Sequence, residues 1–285
     1  MGSSQHGAKL LVGVILIGMT ALAVAESRQE YHFKVHRHAS VTINNQYGPV
    51  SVKAGPAKRV SVIAILKSDK VEVDKNQNGN RVVLKSHLLD GADANTGRVE
   101  YEVLVPADAN IRLNSTSGPL HAENLRGDVV IEGNNAIVDV RESTDGHVHV
   151  RTLNGPVTLT DVRNGHVEIT SLSGDVVLTS VSGPFVNVNS SSGKIRYDGD
   201  FGDGGEYSLT SHSGDIEAMA PAYASIDVTA RSVQGQVDNE FPLQPEHTSF
   251  TMKAGSAFAG TINKAASSVK LFSFSGKIHL KKKTK

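Results

Sequence analysis

The chain of 285 residues contains no cysteine and no tryptophan, and its aromatic content is only 5%. Without cysteine, no disulfide can hold the fold, and thiol catalysis and thiolate metal sites are excluded. The lack of tryptophan counts against a sugar-binding platform built on stacked rings, although tyrosine and phenylalanine remain available. The chain also has no excess of charge of either sign, because Lys and Arg number 29 and Asp and Glu number 29. We therefore expect no strongly basic face and no nucleic-acid partner.

A long hydrophobic run is absent too, apart from one segment near the N-terminus. The apolar stretch from Leu10 to Ala25 follows Lys9 and ends in Ala23-Val24-Ala25, a small-x-small cleavage pattern. It is shorter than the roughly 20 residues that a membrane-spanning helix needs. We interpret it as a signal peptide cut after Ala25, with an uncleaved anchor as the alternative. The interpretation predicts an exported protein without a stable membrane span after signal cleavage.

What the sequence has in abundance is a short phrase close to Ser-x-Ser-Gly. Its glycines include Gly155, Gly174 and Gly193, which stand 19 residues apart. A second glycine series lies between the members of the first: Gly127, Gly146, Gly165 and Gly183. A fixed period of this size is typical of stacked repeat architectures.

Each glycine is followed by the pattern Gly-x-apolar-x-apolar, as in Gly174-Asp175-Val176-Val177-Leu178. Apolar residues two apart point to one face of a strand, glycine permits a tight bend, and Ser, Asn and Asp bond the turn backbone. The pattern predicts an all-β parallel β-solenoid (β-helix) of about 19 residues per coil, with two short strands in each. An antiparallel meander is the alternative, since Asp145-Gly146 and Asn154-Gly155 resemble hairpin turns. The predicted core ladders are Val157, Val176, Ile195 and Ile216, and Leu159, Leu178 and Tyr197.

The same pattern predicts how the chain is divided. The predicted parts are a signal peptide (1–25), less regular N-terminal β coils (26–110), regular β-solenoid repeats (111–218), and C-terminal irregular coils with a basic tail (219–285). Gly235 and Gly276 are interpreted as the starts of enlarged coils near the end. The lysines of 281–285 are interpreted as a solvated terminus that blunts the open edge of the last coil. Contact with acidic lipid or wall polymer is the alternative for this tail.

The strand at residues 99–106, running into 111–118, carries a family resemblance. With the Gly-x-Val-x-Leu units that follow, through Gly276-Lys277-Ile278, it resembles the putative-adhesin family of bacterial exported β-strand-repeat proteins, a domain of unknown function. Residues 47–52 resemble the first turn of this kind in the family. The resemblance covers about residues 31–281. It implies an exported, right-handed parallel β-helix and supplies no catalytic motif.

Histidines are the one chemical feature that stands out. His147 and His166 follow second-series glycines one period apart, so we expect their side chains to stack about 5 Å apart in adjacent coils. Asp128 holds the same place one coil earlier, and His149 should stack on Glu168. Such a column could bind zinc or nickel. Because inward valines flank these positions, we interpret them as an outward polar column and leave metal binding open; His36-Arg37-His38 is a weaker case.

The acidic residues Asp128, Asp175 and Asp215 also follow glycines, and we interpret them as turn residues that bond the backbone. The sequence thus predicts no catalytic, cofactor-binding or metal residues and a protein that is not an enzyme. The predicted function is an exported, adhesin-like binding or structural protein in the periplasm, on the cell surface or secreted. Its partner would be an envelope or surface protein or a polysaccharide, and self-association through the solenoid ends stays open. The alternatives are a carbohydrate-active β-helix enzyme (polysaccharide lyase or hydrolase) and an envelope-stress accessory protein acting by protein contact.

Overall fold

The computed structural model describes residues 26–244, 250–251 and 255–283. The predicted signal peptide therefore lies outside the described residues, as do the last two residues of the basic tail. Throughout the described ranges the chain is all-β, without a helix. Accordingly, those ranges contain no helix that could cross a membrane.

The strands are numbered in chain order. They are β1 (Ser27–Lys34), β2 (Ser40–Tyr47), β3 (Val50–Ala54), β4 (Arg59–Leu66), β5 (Val71–Asn78), β6 (Arg81–Leu88), β7 (Val99–Val105), β8 (Asn110–Glu123), β9 (Val129–Arg141), β10 (Val148–Asn154), β11 (Val157–Thr160), β12 (His166–Ser171), β13 (Val176–Thr179), β14 (Phe185–Ser190), β15 (Ile195–Asp198), β16 (Glu206–Ser211), β17 (Ile216–Ala220), β18 (Ile226–Ser232), β19 (Val237–Asn239), β20 (Phe250–Thr251), β21 (Ser256–Ile262), β22 (Ser267–Ser273) and β23 (Ile278–Lys282).

The strands form one nearly closed, mostly parallel sheet with two walls. We call wall A the succession β5-β6-β2-β8-β9-β10-β12-β14-β16-β22-β18-β21-β20. Wall B is the succession β1-β4-β7-β3-β8-β9-β11-β13-β15-β17-β23-β19. The long strands β8 and β9 bend through the corner and belong to both walls, which joins them into a single sheet.

Between the walls lies a core of aliphatic ladders. Val157 pairs with Val176, which pairs with Ile195 in the next parallel strand, and Ile216 continues the ladder. These side chains are no more than 1% exposed, as are those of the second predicted ladder, Leu159, Leu178 and Tyr197. The predicted inward register is therefore confirmed. The antiparallel meander is wrong for this part of the chain, because every one of these pairings is parallel.

Both ends depart from a purely parallel solenoid. At the N-terminal end, β1 pairs with β4, β4 with β7, and β5 with β6, all antiparallel. At the other end, β21 pairs antiparallel with β18 and with β20. A parallel stack would leave a row of unpaired N–H and C=O groups on its terminal coils, and these antiparallel strands cover part of those rows.

The order of the last coils also differs from the sequence order. Strand β22 lies between β16 and β18, and β23 lies between β17 and β19. The glycines show the same order, since a Cβ on Gly276 would lie 2.1 Å from the carbonyl oxygen of Gly214, and one on Gly235 would lie 2.3 Å from that of Gly276. The final strands thus insert between two coils that precede them in the chain.

This insertion corrects the interpretation of the basic tail. Strand β23, in which the tail begins, is not the last strand of its wall, because β19 pairs with it on the side away from β17. Instead, Lys281 Nζ lies 2.8 Å from a carboxylate oxygen of Glu217, and Lys283 Nζ lies 2.7 Å from Asp198 Oδ1. These lysines contact acidic side chains on earlier coils of the same wall.

The glycine columns arise from close stacking more than from bending. A Cβ on Gly193 would lie only 2.0 Å from the carbonyl oxygen of Gly174 in the neighbouring coil. The expectation that glycine is there to permit the bend holds for Gly118 and Gly155, which have positive φ, and needs correction at Gly174 and Gly193, which do not. Positive φ is adopted by Gly118 and Gly155 in the first series, at 130° and 115°. At the other turn of the coils it is adopted by residues that are not glycine: Asn124, Glu142, Asp145, Asp161, Asn164 and Ser180.

Candidate binding surfaces

Outward side chains on wall A form columns, because the parallel register places equivalent residues side by side. The rings of His147 and His166 stack with centroids 4.7 Å apart and planes 7° from parallel, as the period predicts. Phe185 continues the column, with its ring edge-on and its centroid 6.0 Å from that of His166. The column is therefore an imidazole and aromatic stack on the outer surface of the wall.

The stack has no metal-site geometry. His149 Nδ1 lies 3.2 Å from a carboxylate oxygen of Glu168, the other pairing that the period predicts. In face-to-face rings the nitrogen lone pairs lie in parallel planes, so they do not converge on one point. Across the ranges that the structure describes, no three His, Asp or Glu residues are arranged to hold a metal ion.

The acidic residues after the glycines bond the backbone, as interpreted, but they reach across to the next coil. Asp128 Oδ1 accepts the backbone N–H of His147 at 3.0 Å, and Asp175 Oδ1 accepts that of Lys194 at 2.9 Å. Asp215 Oδ1 accepts the N–H of a residue on the inserted last coil, Lys277, at 2.8 Å. These carboxylates join neighbouring turns through backbone hydrogen bonds, which is a structural role.

A polar groove, which we call the wall-A groove, lies near the N-terminal part of that wall. It has a volume of about 380 Å³ and is lined mainly by amide and charged side chains: Asn44, Gln46, Lys85, Asn114, Glu132 and Arg151. Four of these residues are successive neighbours in register on β2, β8, β9 and β10. The groove is therefore built on paired parallel strands.

The groove has polar atoms without partners in its floor. Asn114 Nδ2 donates to Asn44 Oδ1 at 2.6 Å, while Asn114 Oδ1 is buried without a partner in the described residues. Asn45 Oδ1 and Ser115 Oγ beneath it are likewise buried and unpartnered there. Leu153 adds an apolar side chain that is 47% exposed at the rim. Sequence analysis missed this groove, although amides at equivalent positions of two strands were a readable signal.

On wall B, a second constellation joins β3, β8 and β9. Ser51, His121 and Asp139 are neighbours in register, and His121 Nδ1 lies 3.1 Å from Asp139 Oδ2. His121 Nε2 lies 3.1 Å from Glu123 Oε2, and Lys53 Nζ is 2.8 Å from the same carboxylate. We call these residues, with Arg141 against Asp139 at 3.0 Å, the wall-B charge row.

The wall-B charge row resembles a Ser-His-Asp arrangement but lacks its essential contact. The ring nitrogen that would take a proton from Ser51 faces Glu123 instead. Both ring nitrogens of His121 can donate at once only in the doubly protonated form, which has no lone pair to act as a base. Hydrogen bonds from Lys53 and then from His121 lower the pKa of Glu123 to about 2, so this carboxylate stays charged. The row is a network of hydrogen-bonded ionisable side chains. His121 and Asp139 are one coil apart in register, but Ser51 and Lys53 join them from β3, which the sequence repeat does not connect to β8.

Taken together, these features define a class: an all-β domain with a mostly parallel sheet and extended polar outer walls. Residues 38–281 match the family described as Toastrack DUF4097, and the chain belongs to that family. The predicted resemblance to a putative-adhesin family of unknown function is thereby confirmed.

Two solved structures are similar to the chain at low identity. One is a putative cell adhesion protein from Clostridium sporogenes ATCC 15579, with 12% identity, 90% of this chain and 100% of that chain covered, and a TM-score of 0.34. The other is a putative adhesin from Parabacteroides merdae ATCC 43184, with 12% identity, 90% and 96% covered, and a TM-score of 0.37. No curated protein matches the chain.

Proposed function

We propose that this chain is an exported, non-catalytic, adhesin-like protein of the cell surface or periplasm that binds an envelope polysaccharide through wall A. The proposal includes a right-handed winding with two short strands in each coil of about 19 residues, as the repeat predicts. The single observation that carries the binding role is the wall-A groove. Its side chains project from paired strands of the regular body, so the backbone needs little ordering on binding.

The chemistry of the groove favours a polyhydroxylated ligand. Asn44 and Gln46 offer amide donors and acceptors, Lys85 and Arg151 offer donors, and Glu132 offers acceptors. Sugar hydroxyls can both donate and accept, so they can engage all of these groups. Leu153 offers an apolar contact for the C–H face of a sugar ring.

A binding measurement on the full chain tests this proposal. Purified protein would be titrated with envelope polysaccharides, with Asn44→Ala and Arg151→Ala as separate variants. Loss of one groove hydrogen bond to a charged or polar partner should weaken binding by about tenfold. Asn189→Ala is the matched control, because Asn189 continues the same outward column on β14 but does not line the groove. Absence of any polysaccharide binding, or an equal loss in the control, would contradict the proposal.

The carbohydrate-active enzyme remains the runner-up, and the groove also bears on it. Glycoside hydrolysis commonly uses two carboxylates, whereas Glu132 is the one carboxylate that lines this groove. It also lies 2.9 Å from Arg112 in an ion pair. If the wild type shortened a polysaccharide and Glu132→Gln did not, the protein would be an enzyme and the proposal of a purely binding role would be wrong. Recovery of one specific envelope protein without polysaccharide binding would instead favour the envelope-stress accessory role.

A further inference from the structure

A second cavity, which we call the basic pocket, lies at the N-terminal end of the body. It has a volume of about 640 Å³ and gathers cationic and imidazole side chains from three separate segments: His36, Arg37, His38, Lys58 and Arg126. One carboxylate, Asp108, also lines it, and its Oδ2 accepts the backbone N–H of His38 at 3.4 Å. The fold thus adds Lys58 and Arg126 to the His-Arg-His motif that the sequence offers only as a weak metal candidate.

Three permanent cations line the pocket. Within the described ranges, Arg37, Lys58 and Arg126 form no salt bridge. Cations that are paired elsewhere include Lys53, Arg112, Arg141, Arg163, Lys281 and Lys283. In a chain with a formal net charge of +0, this leaves a local excess of positive charge.

The backbone that carries these side chains is tied down. His36 N–H donates to Asn80 Oδ1 at 2.6 Å, and Asn80 Nδ2 donates to the carbonyl oxygen of Arg37 at 2.9 Å. His38 and Lys58 both adopt left-handed φ, at 53° and 65°, which residues with a Cβ adopt where the surrounding structure enforces it. The cations are therefore displayed from a fixed frame instead of a free terminus.

We propose that the basic pocket binds phosphate groups of an anionic envelope component. Phosphate carries more charge than a single carboxylate, which matches three unpaired cations against one carboxylate that already accepts a backbone bond. The guanidinium groups of Arg37 and Arg126 present planar forks that suit bidentate contacts to phosphate oxygens. The phosphate can come from a phosphate-bearing polymer or from a lipid headgroup. The inference goes beyond the wall-A groove and does not depend on it.

Two probes separate the sources of phosphate. Short-chain inorganic polyphosphate would be titrated into the full chain at several salt concentrations, and vesicles of phosphatidylglycerol in phosphatidylcholine would be tested by co-sedimentation. The test variant is Arg37→Gln/Lys58→Gln/Arg126→Gln. The control is Lys194→Gln/Lys270→Gln/Lys277→Gln, which removes three exposed, unpaired lysines from other described coils and leaves the same net charge.

We expect the wild type and the control to bind, with an affinity that falls as salt rises. The test variant should bind at least about tenfold more weakly, and its slope of log affinity against log salt should fall by about three. Binding to polyphosphate identifies a polymer phosphate, and binding to anionic vesicles alone identifies a headgroup; both support the proposal. Equal losses in test and control variants, or no binding to either probe, would overturn it. The polysaccharide titration with Asn44→Ala is read independently, so either proposal can fail alone.

Discussion

Ser171 Oγ lies 3.0 Å from the carbonyl oxygen of Gly174 and 3.1 Å from its amide nitrogen, so one hydroxyl closes the turn from inside. The first serine of the repeated phrase makes the same bond to the following glycine N–H in other coils: Ser211, Ser232 and Ser273, at 2.8, 2.9 and 2.9 Å. All four hydroxyl residues are at most 2% exposed. The phrase is therefore a buried capping device, and its first serine is structural.

Replacement of this hydroxyl should destabilise the fold. Ser171→Ala leaves the buried N–H of Gly174 without its side-chain acceptor, and we expect a loss of about 1–3 kcal/mol in the free energy of unfolding. Denaturant titration measures it. Ser191→Ala is the control, because Ser191 occupies the exposed middle position of the phrase in the next coil. A loss as large in the control would mean that the turn is not closed by the buried serine.

The inward register makes an equally sharp prediction. Val176→Asp places an unpaired charge within a ladder that is fully buried, and we expect a loss of more than about 4 kcal/mol or failure to fold. Val177→Asp is the matched control, since Val177 is the next residue on β13 but points outward. Thermal unfolding distinguishes them. Unchanged stability in Val176→Asp would show that the register is wrong.

The sequence could predict these ladders because their physical cause is local and repeated. A strand alternates every second residue, and the glycine spacing places Val176 beside Val157 and Ile195 without any knowledge of the rest of the fold. The stack of His147 on His166 follows by the same reasoning. The wall-B charge row could be placed only in part in this way. Asp139 lies one coil beyond His121 in register, but Lys53 reaches Glu123 from β3, which is distant in the chain.

The repeat did not predict the order of the last coils, for a different reason. The phrase at Gly276-Lys277-Ile278 shows that a coil exists, but any aliphatic residue fits an aliphatic ladder. The pattern alone therefore does not show that Ile278 lies between Ile216 and Val237 and not at the end of the stack. The basic pocket could not be predicted either, because the sequence does not show that Lys58 and Arg126 approach the segment around Arg37.

The wall-B charge row should make stability depend on pH. The pKa of Glu123 is lowered from 4.5 to about 2, so its ionised form is favoured by folding. A depressed folded-state pKa gives stability that is present above about pH 4.5 and is lost as the pH falls towards 2. We expect Glu123→Gln to melt below the wild type at pH 6, with the difference shrinking as the pH falls through this window.

The control for this pH dependence is Glu72→Gln, since Glu72 is exposed on β5 and forms no salt bridge in the described ranges. Its melting temperature should follow that of the wild type at every pH. A difference between wild type and Glu123→Gln that stays constant down to pH 2 would show that packing, and not the charge of Glu123, causes the loss.

The inserted C-terminal strands should hold the preceding coil in place. A chain that ends at residue 266 lacks β22 and β23, so β18 loses its parallel partner and β19 loses its only paired strand in the described residues. Strands β16 and β17 keep β14 and β15 on their other side. We expect fast amide hydrogen exchange over 226–239 in this variant, with slow exchange retained over 148–190, whereas the full chain should protect both segments. Slow exchange over 226–239 after truncation would mean that this coil docks directly on β16 and β17, and that the insertion is not what secures it.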